Sequence, residues 1–347
     1  MKGTMCGVYK SKPEPGAEWR TDLPIPEVGP NDVLVKVRAA AICGTDMHIL
    51  PWTPWAAERF PLPMVFGHEF AGDIVEVGEN VKEYNVGDRV AGETHIPCNN
   101  CYMCKSNRRH NCANMKIIGV HAPGCFAEYI AFPKDCVYQI ADSVSYEKGA
   151  MLEPMGVGVH GVSVGNVKGK NTLIYGAGPI GIMAAGAAKV MGAKEVISVD
   201  IFDAKLAVAK KMGADLVINS KNEDVVKAVM DATDGIGADV VIDYTGNEQA
   251  IRSGFAALRK NGTFVIVGLP AKDVTLNLSD AIIYKEAFVT GVTGRLMYET
   301  WDECAQILAT PGFSLDPVVG GIYPLKDYQK AFDDIIAGTP GKMILIP

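Results

Sequence analysis

Gly176-Ala177-Gly178-Pro179-Ile180-Gly181 follows a short apolar run, 172–175, and opens an alanine-rich stretch, 180–191, that reads as a helix. A G-x-G-x-x-G turn alone is weak, because glycine turns are common; between a strand and a helix it marks a dinucleotide-binding βαβ unit. One glycine permits the tight turn, one lets the backbone approach a pyrophosphate, and one lets the helix lie close to the sheet. The helix N-terminus then offers unpaired N–H groups and the positive end of its dipole to the anion. Asp200 ends the next strand, nineteen residues beyond Gly181. Its carboxylate suits the adenine-ribose hydroxyls and repels a 2′-phosphate, which favours NAD over NADP. Lys205 works against that preference as a phosphate partner, although a lysine there is more often a solvated helix residue.

Strand and helix keep alternating downstream: helices at 204–212, 225–230 and 250–258, strands at 216–218, 240–243 and 263–267. This spacing predicts an α/β architecture, a doubly wound parallel sheet of the Rossmann type with helices on both faces. The regularity fades near 290–295, and a last helix (328–336) and strand (343–346) close the chain. The first ~150 residues read differently. β-branched runs at 32–41 and 73–77, punctuated by Gly72, Gly78 and Gly87, predict a mainly β domain, a distorted barrel. The expected division is 1–153, then 154–294 for the dinucleotide domain, with 295–347 returning to the first domain.

The 347 residues are 48% hydrophobic, enough for a substantial core, so disorder is excluded as the main state. A net charge of -7 argues against a chain built to hold nucleic-acid phosphates. Residues 1–19 lack the apolar core of a secretory signal. Residues 171–188 carry no charge, yet Gly176, Gly178, Pro179 and Gly181 interrupt them, and a strand, turn and helix explain them better than a membrane span. A cytoplasmic protein with no membrane or nucleic-acid partner is expected.

Four of the nine cysteines fall within fifteen residues, as Cys98-x2-Cys101-x2-Cys104-x7-Cys112. Four thiolates in so short a loop converge on one centre, and four sulfurs around one tetrahedral ion is the structural zinc pattern. An iron–sulfur cluster competes, but in ferredoxins the fourth cysteine commonly precedes a proline and serves a second cluster. Here Ala113 follows Cys112 and no second set exists, so zinc is favoured. With every position filled by protein, the site's task is folding. Cys43 lies in Ile42-Cys43-Gly44-Thr45-Asp46-Met47-His48, and His68-Glu69 in Gly67-His68-Glu69-Phe70-Ala71-Gly72. Singly these are ordinary packing or surface residues. Beside a nicotinamide site, together they suggest a second zinc held by thiolate, imidazole and carboxylate with one position open.

The Gly67–Gly72 segment with Gly78 after five more residues, the cysteine lobe at about 95–115 and the glycine turn occur in the order seen in zinc-dependent medium-chain alcohol dehydrogenases, which the chain resembles from end to end. The 41–48 segment with Trp52 and Trp55, and the segments 92–95, 123–129 and 294–301, resemble the threonine-oxidising branch of that family. The resemblance implies a GroES-like catalytic domain before the Rossmann domain, and oxidation of the 3-hydroxyl of L-threonine by NAD+ to 2-amino-3-oxobutanoate. A polyol or secondary-alcohol substrate is the alternative. It implies two zinc ions per chain, with Cys43, His68 and Glu69 as catalytic ligands and Glu153 as a nearby acid that tunes ligation. Thr45 and His48 match a proton relay running by way of the cofactor ribose, and His95 matches a substrate-pocket position. Ile180, Asp200 and Lys205 match cofactor contacts, and Val267, Gly268, Leu269, Val292 and Thr293 are expected among them. Lys205 departs from the arginine often found there, as Pro51 and Pro54 depart from more polar residues. A homotetramer is the assembly the family implies.

Overall fold

In the computed structural model, which describes residues 1–347, the chain opens on two antiparallel strands, β1 (Thr4–Lys10) and β2 (Glu18–Pro24). β3 (Asp32–Ala41), α1 (Asp46–Ile49), α2 (Pro54–Arg59) and the two-residue β4 (Met64–Val65) follow, then β5 (Glu69–Val77), β6 (Arg89–Gly92) and β7 (His95–Ile96). After α3 (Tyr102–Lys105) come β8 (Lys116–Ile117), β9 (Tyr129–Pro133), β10 (Val137–Gln139), α4 (Tyr146–Ala150) and α5 (Leu152–Gly165). The strand–helix series is β11 (Asn171–Tyr175), α6 (Pro179–Val190), β12 (Glu195–Asp200), α7 (Asp203–Lys211), β13 (Leu216–Asn219), α8 (Val225–Ala232), β14 (Ala238–Asp243), α9 (Glu248–Ala257), β15 (Leu258–Ile266) and β16 (Phe288–Gly291). α10 (Glu299–Leu308), β17 (Val319–Pro324), α11 (Tyr328–Ile336) and β18 (Lys342–Ile346) end it.

Two units result: Met1–Pro154 with Val319–Pro347, and Met155–Val318. The first is built around β3, whose sequence DVLVKVRAAA is apolar except at Asp32, Lys36 and Arg38 and is buried in continuous runs at both ends. Such a run belongs to a strand covered on both faces, and β3 pairs with β5, β9 and β18 in a sheet ordered β10-β6-β5-β3-β18-β17. Phe70 and Phe132 meet edge to face at 5.2 Å in the core beneath it, as do Phe66 and Phe126 at 5.1 Å. The β3–β5 register sets Ala41 opposite Glu69, and the β3–β18 register sets Ala41 opposite Ile344. Residues from both ends of this unit's sequence are thereby brought to one end of β3.

The second unit is a six-stranded parallel sheet in the order β13-β12-β11-β14-β15-β16. Its central strands are mainly apolar inside, with Leu173, Ile174, Val196, Ile197, Val241 and Ile242 at zero exposure beside the buried Thr172 and Ser198. The strand order reverses between β11 and β14, and in such sheets ligands bind at the strand C-termini beside that reversal. The glycine turn leaves β11 there. Residues 295–318, expected in the returning segment, lie in the second unit. α10 is amphipathic and buries Trp301, Cys304 and Ile307, while Ser163 on α5 donates to Glu303 at 2.7 Å. No helix is long and apolar enough to cross a membrane; the uncharged 171–188 stretch is β11, the glycine turn and most of α6.

Candidate metal centres and dinucleotide site

Cys43 sits just past the end of β3, and His68 and Glu69 enter β5 on the neighbouring strand. One ligand atom from each lies within 4.8 Å of the other two, a spacing one ion can span. His68 and Glu69 are buried, and His68 Nδ1 and Glu69 Oε2 have no hydrogen-bond partner. A buried polar atom left unpaired costs roughly 1–3 kcal/mol, so these two atoms suit a cation as their partner. Burial pushes the Cys43 thiol and the Glu69 carboxyl above their ordinary values, Glu69 strongly, with Lys342 working in the opposite direction on both. A divalent ion reverses that penalty by making both anions favourable.

The groups around this trio are arranged in layers. Asp46 is wholly buried, accepts the Cys43 N–H at 2.9 Å, and interacts with His68. Cys125, also buried, lies with its sulfur 3.7 Å from the Glu69 carbonyl. Lys342 is 4% exposed and donates to Glu69 Oε1 at 2.6 Å and to the Ile42 carbonyl at 2.8 Å. Burial works against its charge, but Glu69 and Cys43 outweigh it and hold the ammonium protonated. Glu153, near the start of α5, is 6% exposed, and its charge acts on both Cys43 and Glu69.

Thr45 precedes α1 without capping it, and its hydroxyl accepts a long hydrogen bond from the Cys43 thiol at 3.8 Å. His48, one turn on, is exposed, with its ring 5.6 Å from Trp55 and Nδ1 3.4 Å from the Thr53 hydroxyl. Pro54 fits because it takes the first turn of α2, where no N–H bond is lost. His95 lies on β7 with Nδ1 2.7 Å from Glu93 Oε1, and Glu93 is wholly buried.

The four lobe cysteines also gather. Their ligand atoms lie within 4.8 Å of one another, Cys101 and Cys104 being 3.5 Å apart and Cys101 and Cys112 3.9 Å. Backbone N–H groups of Cys98 and Asn114 point at the Cys112 sulfur, at 3.2 and 3.3 Å. The Asn100 N–H is the largest of the influences that bring Cys98 down to about 6, whereas burial and its neighbours push Cys104 up to about 12. None of the nine cysteines is in a disulfide. Donors aimed at sulfur favour thiolates, the form that binds zinc.

In the second unit the glycines divide the work. Gly176 has a φ of 94°, a left-handed conformation that side chains resist, and a Cβ on Gly181 would stand 1.8 Å from the Gly176 carbonyl, so α6 lies against the turn only because Gly181 has none. A Cβ on Gly178 would meet nothing within 4 Å: the open space is the cradle a pyrophosphate needs, ahead of the α6 N-terminus where Pro179 and Ile180 begin the helix. Asp200 accepts the Ala177 N–H at 2.7 Å with one oxygen and the Ile201 and Phe202 N–H groups with the other. It lines a pocket of about 590 Å³ with Lys205, Lys221 and Phe202, both ammonium groups standing 4.8 Å from the Phe202 ring. Val267 and Gly268 donate to the Asp243 carbonyl, each at 2.9 Å, and Val292 to Ile266, also at 2.9 Å, so these loops lie at the strand C-termini. Leu269 is 90% exposed beside them, and Thr293 is exposed.

Sequence reading missed Lys342, Asp46, Cys125 and Glu93. Asp46, Glu93 and Cys125 lie inside segments singled out for other residues, which was the available signal, whereas Lys342 lies outside any motif and only the pairing of distant strands marks it.

Comparison with known proteins agrees with this geometry. Residues 29–142 match the alcohol dehydrogenase GroES-like domain, and residues 179–310 the zinc-binding dehydrogenase domain. The chain is 41% identical to the L-threonine 3-dehydrogenase of Bacillus subtilis, over 94% of each chain. It is 40% identical to that of Caldanaerobacter subterraneus subsp. tengcongensis over the full length of both. Among solved structures, galactitol-1-phosphate dehydrogenase from Escherichia coli superposes with a TM-score of 0.90 at 28% identity, covering 99% of this chain and 100% of that one. With both domains in order and relatives matched from end to end, the chain belongs to the zinc-dependent medium-chain dehydrogenase family.

Proposed function

We propose that the chain is an NAD- and zinc-dependent L-threonine 3-dehydrogenase, converting L-threonine and NAD+ to 2-amino-3-oxobutanoate, NADH and a proton. One observation carries the choice of substrate: about 40% identity over whole chains to proteins named for that reaction. The clustering of Cys43, His68 and Glu69 supports the chemistry.

In this reading Cys43, His68 and Glu69 hold the catalytic zinc, Glu153 stands by as an alternative carboxylate, and Cys98, Cys101, Cys104 and Cys112 hold the structural one. A bound zinc supplies a Lewis acid that stabilises negative charge on an alcohol oxygen, and NAD+ supplies the acceptor of the hydride from C3. The chain's own part is to move the hydroxyl proton and hold the reactants. Thr45, whose hydroxyl lies beside Cys43, would accept that proton while passing its own on by way of the cofactor ribose, and His48, exposed, exchanges it with solvent. His95, held by Glu93, contacts the substrate. Gly176, Gly178, Pro179, Ile180 and Gly181 seat the pyrophosphate, Asp200 and Lys205 the adenine ribose, and Val267, Gly268, Leu269, Val292 and Thr293 the nicotinamide half.

A cytoplasmic homotetramer completes the reading. β16 supports self-association, because it is an edge strand with Phe288 61% and Val289 40% exposed and no proline or charge to blunt it. The test of function is NADH formation measured with L-threonine, sorbitol and 2,3-butanediol, before and after chelation. Threonine is expected to give the highest kcat/KM, with activity lost to the chelator and recovered with zinc. Preference for a polyol would transfer the chain to the other branch of the family.

A further inference from the structure

Lys342 is a buried lysine with two hydrogen-bond partners, the Ile42 carbonyl and Glu69 Oε1. Burying an ammonium is costly unless it is paired, and the partner here is one of three residues grouped as metal ligands. The pairing is fixed by backbone register. Ile42 donates its N–H to the Met343 carbonyl at 3.0 Å, which sets Lys342 across from Cys43, while Glu69 lies opposite Ala41 on the other side of β3. The ammonium therefore reaches past the end of the central strand to the carboxylate two strands away. It takes one oxygen of Glu69; the other, Oε2, is buried and has no partner.

We propose that Lys342 is a positioning residue of the catalytic metal centre: it holds Glu69 by Oε1, reserves Oε2 for the ion, and by its positive charge keeps that ion electron-poor. The proposal rests on the reading of Cys43, His68 and Glu69 as zinc ligands. Two anionic ligands, thiolate and carboxylate, would formally neutralise a divalent ion and weaken it as a Lewis acid. A cation 2.6 Å from one ligand oxygen draws charge off that carboxylate and offsets the loss. The same cation repels the metal, so the device weakens binding while raising reactivity. An ammonium that only fills space in the core has no such opposed effects.

The experiment compares the native protein with Lys342→Met and Lys342→Arg, using zinc release to a chelator, the absorption spectrum of the cobalt-substituted protein, and steady-state kinetics. For Lys342→Met the expected result is slower zinc release from the non-lobe site, a changed cobalt spectrum, and kcat lowered roughly 10- to 100-fold, the usual range for an outer-sphere partner. KM for NAD+ is expected to stay near native, and Lys342→Arg to restore most of kcat. Faster zinc release together with lost activity in Lys342→Met would make the lysine a structural prop and overturn the proposal. So would a cobalt spectrum and kcat identical to native. A native protein that takes up only the lobe's ion would instead overturn the reading of the site itself.

Discussion

Asp200 uses both carboxylate oxygens to hold the turn around it, through the Ala177, Ile201 and Phe202 N–H groups, so its charge is fixed in place at the pocket mouth. Lys205 and Lys221 line the same pocket, each ammonium 4.8 Å from the Phe202 ring. Asp200→Asn keeps an acceptor and removes the charge. The ratio of kcat/KM for NADP+ over NAD+ is then expected to rise roughly tenfold, the equivalent of about 1.4 kcal/mol; an unchanged ratio would mean that Asp200 does not set the preference. His48→Ala is expected to lower turnover roughly 100-fold and alter its pH profile, with zinc content unaltered. Full turnover at every pH would remove His48 from the relay. At this scale the sequence was legible wherever a motif forced a residue type. Gly181 is an example, since any Cβ there would overlap the Gly176 carbonyl. Lys342 was not legible, because nothing local distinguishes it from a surface lysine.

Elements were legible where periodicity and length agreed. The strand expected to end at Asp200 is β12, and the helices read at 180–191 and 204–212 are α6 and α7 to within two residues at either end. The first unit resisted, because β4, β7 and β8 are two residues each and hold their place by pairing rather than by pattern. The lobe around α3 is the extreme case. Its only helices are four residues and three residues long, and its largest side chain, Tyr102, is 81% exposed, so it has little core of its own. An ion must then supply the cohesion. Cys104→Ser is expected to lose one zinc per chain and expose residues 95–115 to proteolysis, while NAD+ binding, measured by fluorescence, persists. Native protease resistance in that variant would show that the lobe folds without its ion.

Across the whole molecule the division into two units was legible from the change of character near Glu153, whereas the return point, Val319, was not. α10 follows a longer loop, 292–298, without periodicity, and its buried Trp301, Cys304 and Ile307, with the Ser163–Glu303 hydrogen bond, tie it to the second unit. The proposed homotetramer is tested at this scale as well. Phe288→Lys, on the β16 edge, is expected to lower the molar mass found by light scattering from that of a tetramer, while Phe288→Leu leaves it intact; a tetramer in both would place the interface elsewhere. The central claim is that residues gathered from β3 and β5 hold an ion that makes a hydroxyl oxidisable. The most direct measurement counts zinc per chain alongside threonine-dependent NADH formation in the native protein and in Cys43→Ser. Two ions and activity are expected in the first, and one ion with no activity in the second. A Cys43→Ser protein that keeps native turnover would contradict it.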